Sequence, residues 1–155
     1  MPRIFHPPKQ SKNLTHGHSL RNGKPSPEYV SWQHMRSRCE DKSHVHYKNY
    51  GGRGIAVCAR WAIFENFLAD MAERPSPNHS IDRRDCDKGY SPNNCYWATK
   101  KEQSRNRRNN HKITFRDETL CLTEWAERTG LKLITLSKRI QAGWTPERAL
   151  TTPVR

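Results

Sequence analysis

Acidic residues are scarce in this chain: 15 Asp and Glu stand against 28 Lys and Arg, leaving a net charge of +13 over 155 residues. Such an excess repels like molecules and makes a polyanion the natural partner. Long hydrophobic runs are missing too. No stretch approaches the roughly 20 apolar residues that cross a bilayer, which excludes a membrane-spanning helix. The opening segment MPRIFHPPKQSKNLTHGHS has no apolar h-region, so it does not read as a signal peptide, and a cytoplasmic protein is expected. Cysteine is present, but not in the pattern of a zinc finger: none of Cys39, Cys58, Cys86, Cys95 and Cys121 forms a CxxC pair. Their odd number and the expected reducing compartment argue against a disulfide framework. Hydrophobic residues make up only 33% of the chain, so five Trp, five Tyr and four Phe must supply much of the core.

What is there has a readable order. Residues 1–25 are rich in Pro, His, Lys and Asn without apolar periodicity, the pattern of a basic arm. Ser26-Pro27-Glu28 gives a helix start. Tyr29, Trp32, Met35 and Cys39 then form one apolar stripe, and the helix is expected to end near Cys39. In YKNYGGRGIAVCARW the glycines break any helix, and Ile55 and Val57 suggest a short strand. Trp61, Phe64, Phe67, Leu68 and Met71 mark a second helix, closed by Pro75 and Pro77. Residues 80–84 and 95–98 flank a polar loop with Gly89 and Pro92, as two strands of a hairpin with a long loop would. The segment from Thr99 to Arg108 has no breaker and should be helical. The sum is a ββα unit.

Beyond Lys112 the texture changes. ITF and LCL flank RDET as a hairpin would. Thr123 is placed to cap a helix ended by Gly130, Thr135 one ended by Gly143, and Thr145-Pro146-Glu147 starts a third. Trp125, Leu131, Leu136, Ile140, Trp144 and Leu150 are the expected core of this part. Two short helices about a glycine turn read as helix-turn-helix. The expected organisation is an arm over 1–25, a domain over 26–112 and a helix-turn-helix segment over 113–155.

The segment IDRRDCDKGYSPNNCYWATKKEQSRN resembles the HNH, or His-Me finger, endonucleases, especially phage and intron-homing members. Asp82-Arg83 stands where the family has Asp-His. Asn93-Asn94-Cys95-Tyr96-Trp97 stands at its Asn-Leu-x-Trp. YGGRGIAVCARWAIFENFLADM and SWQHMRSRC look like the preceding half of the same phage proteins, and LTEWAERTGLKLITLSKRIQAGWTPERAL resembles a modular DNA-binding helix-turn-helix attached to such nucleases. The resemblance covers most of residues 15–153. It implies an α+β fold with a ββα-metal core, flanking helices and a small C-terminal helix-turn-helix. The implied activity is metal-dependent hydrolysis of double-stranded DNA, in a host cytoplasm if phage-encoded.

On that resemblance Asp82 and Asn94 match the metal-ligand positions for one Mg²⁺ or Mn²⁺, which favours hard oxygen ligands. The family's histidine base is missing, because Arg83 occupies its place and stays protonated at any useful pH. Two readings stay open. Another group takes the proton, with His79, His16, His18 and His111 as candidates, and Arg83 holds phosphate. Alternatively, catalysis is lost and the fold only binds DNA, in a regulatory, replication or packaging role. Arg53, between glycines, is a candidate phosphate contact, as are Arg84, Lys100, Lys101, Arg105, Arg107 and Arg108. Lys132, Lys138 and Arg139 lie on or beside a helix, 133–142, expected to enter the major groove. Asp82 can equally pair with its neighbouring arginines, and Asn94 can equally hold the loop in shape. A structural zinc site from Cys39, Cys58 and Cys95 with His44 or His46 is a further option. A basic RNA-binding protein is a third class of reading. A monomer is favoured, with no membrane partner.

Overall fold

A computed structural model describes Gly17, His18 and residues 24–154. The expected arm, His16 included, lies almost wholly outside the described residues. The fold is mixed α+β with two small antiparallel sheets. The chain divides into two compact units, residues 1–73 and 74–155. Residues 26–112 therefore straddle the division, and the segment 113–155 shares its unit with the hairpin. Among the described residues no helix is long and apolar enough to cross a membrane.

In the first unit, α1 (Pro27–Glu40) starts as its sequence dictates: the Ser26 hydroxyl accepts from the Tyr29 N–H and Pro27 sits at the first position. Its stripe of Trp32, Met35 and Cys39 is buried and meets α2 (Phe64–Met71), which buries Phe64, Phe67 and Met71. Trp32 and Phe64 meet edge to face at 5.7 Å, and so do Trp61 and Phe67 at 5.1 Å. The strand expected at Ile55 and Val57 is not formed. Short 3₁₀ turns at Tyr47–Asn49, Gly51–Arg53 and Ala59–Ala62 fill this region. Gly51 explains the compactness of the glycine stretch: a Cβ there would lie 2.2 Å from the Cys39 carbonyl oxygen, so only glycine lets the loop close onto the end of α1.

Both core tryptophans spend their indole N–H within this unit. Trp32 Nε1 donates to the Trp61 carbonyl and Trp61 Nε1 to Asp70 Oδ2, each at 2.8 Å. Asp70 also takes a two-pronged pair from Arg60, at 2.8 and 3.0 Å. The Arg60 hydrogen bond, then the Trp61 one, holds the Asp70 carboxyl below the usual carboxylate range. Asp70→Ala is expected to destabilise this unit by about 1–3 kcal/mol, because it orphans a buried indole donor. The depressed carboxyl stabilises the fold above its unfolded pKa of about 4, and that part is lost as pH falls through the lower folded value. The melting difference between wild type and variant should therefore be largest near neutrality and shrink in acid, as thermal melts across pH will show.

In the second unit, β1 (His79–Arg83) and β2 (Cys95–Thr99) form one hairpin, with Asp82 opposite Tyr96 and Arg83 opposite Cys95. Next comes α3 (Lys100–Arg105), capped by the Thr99 hydroxyl with Glu102 reaching back to the Thr99 N–H, a capping box. The helix is shorter than expected and stops at Asn106 rather than Arg108. A second hairpin, β3 (Lys112–Phe115) and β4 (Glu118–Cys121), turns through Arg116 and Asp117, both at positive φ. Three helices close the unit: α4 (Leu122–Thr129), α5 (Leu133–Gln141) and α6 (Pro146–Thr151). Cys121, not Thr123, stands at the α4 N-cap, with Glu124 closing its capping box. Likewise α5 starts from Lys132 rather than Thr135, while Thr145 caps α6. Gly130 and Gly143 take the left-handed conformation after α4 and α5. Ile113, Trp125, Ala126, Leu136, Ala149 and Leu150 form the core, flanked by Ile140 and Trp144. Leu131 is only half-buried.

Candidate functional site

Successive strand residues face opposite ways, so β1 separates Asp82 from Arg83. Asp82 shares its face with Ser80 and with their partners Tyr96 and Ala98 on β2. That face carries no histidine. Arg83, on the other side, is 8% exposed. Its Nη1 donates to the Lys88 carbonyl at 2.7 Å and its guanidinium lies 5.0 Å from the buried ring of Tyr90. This is a brace for the loop between the strands, and it leaves the expected phosphate clamp at Arg83 without an exposed charge.

Asn94 braces the same loop from its far end. It is buried, and its Oδ1 accepts from the Asp85 N–H at 3.0 Å. Its Nδ2 donates to the carbonyls of Asp85 and Gly89, at 3.1 and 2.8 Å. Both amide hydrogens and one lone pair of the oxygen are thus engaged with backbone, so the position expected to bind metal also ties the loop together.

The side chain that reaches Asp82 is Asn106. Helix α3 lies across the hairpin through two uncharged amides three residues apart. Gln103 Nε2 donates to the Ser80 and Ala98 carbonyls, at 3.2 and 3.3 Å. Asn106 Nδ2 lies 3.1 Å from Asp82 Oδ2 and also donates to the Arg83 carbonyl. The spacing of three puts both on one helix face, and that was the signal available in the sequence: Gln103 and Asn106 are amides within a run otherwise dominated by Lys and Arg. Cys86 closes the rim, its thiol 2.9 Å from the Asn106 carbonyl. Burial, then the Asp82 charge, pushes both the Cys86 thiol and the Tyr96 phenol above their ordinary values, so both stay protonated donors at neutral pH.

His79 is not brought to this site. It starts β1 on the face opposite Asp82 and three residues away, about 10 Å along a strand, and its Nδ1 pairs with the Ser76 hydroxyl at 2.9 Å. His18 belongs to the first unit, where its ring lies 5.4 Å from Phe64. His111 is exposed just before β3.

A carboxylate beside a carboxamide suits a hard cation. The two orientations of an asparagine amide have the same shape, and turning the Asn106 amide over sets its oxygen against Asp82 and the Arg83 carbonyl in place of both hydrogen bonds, so that orientation requires a cation among the three oxygens. Mg²⁺ and Mn²⁺ favour such oxygen donors and keep several waters. Among the described residues, no three His, Cys, Asp or Glu side chains gather to hold a metal.

The expected DNA contacts divide into two groups. Lys101 and Arg105 both pair with Glu127 of α4, at 3.6 and 2.5 Å, tying the ββα unit to the helices after it. Arg139 donates to the carbonyls of Ala149, Thr152 and Pro153 and stacks on Trp144, so it locks the C-terminal turn in place. The others face solvent. Arg84 lies over the Tyr96 ring at 4.7 Å, beside Asp82. Lys100, Arg107, Arg108, Lys132 and Lys138 are exposed. In the first unit Arg53 is exposed as well, with Nη1 3.4 Å from the Asn49 carbonyl. Comparison of the chain with protein-family models, with curated proteins and with solved structures finds no match.

Proposed function

We propose that this chain is an HNH-like endonuclease that nicks or cuts double-stranded DNA in the host cytoplasm, with Asp82 and Asn106 as the protein ligands of one divalent cation. The observation that carries the reading is the 3.1 Å approach of Asn106 to Asp82 where the end of α3 meets the hairpin. Bound Mg²⁺ or Mn²⁺ supplies charge stabilisation at the scissile phosphate and helps the leaving oxygen depart. The chain's own residues bind and orient the phosphate, while the attacking water gives up its proton to bulk water. Arg84, exposed beside Asp82, binds a phosphate oxygen. Tyr96, held protonated, donates a hydrogen bond on the same face. Lys100, Arg107 and Arg108 track the backbone on either side. Asn94 and Arg83 hold the loop that carries Arg84.

One observation favours a second reading, a DNA-binding module without catalysis: Arg83 is buried where a base is expected, and the Asp82 face has no histidine. Supercoiled plasmid separates the two. Incubated with Mg²⁺ or Mn²⁺, wild type should convert it to nicked or linear DNA, EDTA should stop the reaction, and Asp82→Ala should slow it by about 100-fold or more, the range for loss of a major electrostatic group. A folded protein that shifts duplex DNA on a gel but leaves plasmids and a complex genomic substrate intact would establish the binding-only reading.

A further inference from the structure

Helix α5 presents an unusual stripe. At about 100° per residue, Leu133, Ile134, Ser137, Lys138 and Gln141 fall along one side, while Leu136 and Ile140 point into the core. Leu133 and Ile134 are 45% and 60% exposed, the largest apolar exposures in the second unit apart from Val154. Single exposed apolar residues are ordinary, but two adjacent ones at the start of a helix, between Lys132 and Lys138, form a small apolar patch in a basic frame. The sequence of α5, LITLSKRIQ, contains no carboxylate. Gln141 Nε2 lies 3.5 Å from the Ser137 hydroxyl, so the stripe continues from apolar into hydrogen-bonding groups.

Resting on the DNA-binding part of the reading above, we propose that this stripe enters the major groove and reads an A·T-containing subsite. Leu133 and Ile134 pack on thymine methyl groups, and Gln141 takes the N7 and N6 edge of adenine. Charge complementarity fixes the occupant as nucleic acid, because the patch is framed by lysines in a chain of net charge +13. The side-chain types then select the base pair: the thymine methyl is the one apolar group displayed in the major groove, and a glutamine amide matches adenine there. A second copy of this chain packed α5 against α5 would set Lys132 and Lys138 against like charge, because α5 has no carboxylate.

The test is selection of duplexes from a random-sequence pool by the full chain in EDTA, so that binding is read without cleavage. Affinities for the selected site are then measured with thymine or with uracil, which lacks only the methyl group, for wild type, Ile134→Ala and Gln141→Ala. All variants are surface changes and should keep the wild-type melting temperature. The expected result is a selected site with A·T pairs. Uracil replacement should weaken wild type about fourfold per contacted methyl, while Ile134→Ala should weaken binding and no longer sense the replacement at the thymine that Ile134 contacts. Gln141→Ala should lose discrimination at one adenine by about tenfold. A selected site without A·T enrichment, or unchanged affinity and preference in Ile134→Ala and Gln141→Ala, overturns the assignment of α5. Sequence-specific plasmid cleavage that survives these variants leaves the nuclease reading standing, whereas absence of any duplex binding in low salt overturns both. Enrichment of single-stranded RNA over duplex DNA also overturns the assignment.

Discussion

Asn94→Ala is expected to lower stability by about 3 kcal/mol. The substitution removes three hydrogen bonds from a buried carboxamide and leaves the Asp85 N–H and the Asp85 and Gly89 carbonyls without that partner. At about 1 kcal/mol for each lost bond, the total is large against the 5–15 kcal/mol typical of a whole domain. Asn94→Asp should be at least as destabilising at neutral pH, since it keeps the acceptor but sets a buried carboxylate oxygen against the Asp85 and Gly89 carbonyls. Urea unfolding monitored by tryptophan fluorescence checks this. If Asn94→Ala were as stable as wild type yet failed to bind metal, the side chain would be a ligand and not the knot of the loop.

Asn106→Ala should show the opposite pattern. The residue is half-exposed at the end of α3 and makes two side-chain hydrogen bonds, so its removal should lower stability by about 1–2 kcal/mol while slowing cleavage about 100-fold. Asn106→Asp is more informative. It sets a second carboxylate about 3 Å from Asp82, where unscreened like charges repel strongly. Without metal this variant should melt several degrees below wild type, and millimolar Mg²⁺ or Mn²⁺ should close most of the gap. A metal-independent melting temperature in Asn106→Asp would argue against a cation between the two residues.

The hairpin, the helix after it and the C-terminal helices were legible because each carries local punctuation: the Gly89–Pro92 loop, the Thr99 cap, and the Gly130, Gly143 and Thr145 boundaries. The asparagine that reaches Asp82 was not. Asparagines stand at 93, 94, 106, 109 and 110, and local pattern does not reveal which one turns inward. That depends on where α3 stops, and it stops at Asn106 because that side chain leaves the helix surface to bond Asp82 and the Arg83 carbonyl. The basic run has partners its charge does not announce. Charge alone marks Arg105 and Lys101 as phosphate contacts, yet Glu127, 22 residues after Arg105, pairs with both. Ile55 and Val57 alternate like a strand, but the stretch is too short to become one between the turns at Gly51–Arg53 and Ala59–Ala62. Arg83 was recognised as a departure from the family pattern. Its burial against Tyr90 and Lys88 is a tertiary fact that no spacing encodes.

The central claim is that Asp82 and Asn106 together hold the cation. Its most direct test is Mn²⁺ binding, followed by electron paramagnetic resonance, for wild type, Asp82→Ala, Asn106→Ala and Asn94→Ala, each with and without a short duplex. The account predicts one bound ion per wild-type chain, lost in Asp82→Ala and Asn106→Ala and kept by whatever fraction of Asn94→Ala is folded. Binding that survives Asp82→Ala, or a folded wild type that takes up no Mn²⁺ even with DNA present, would contradict it.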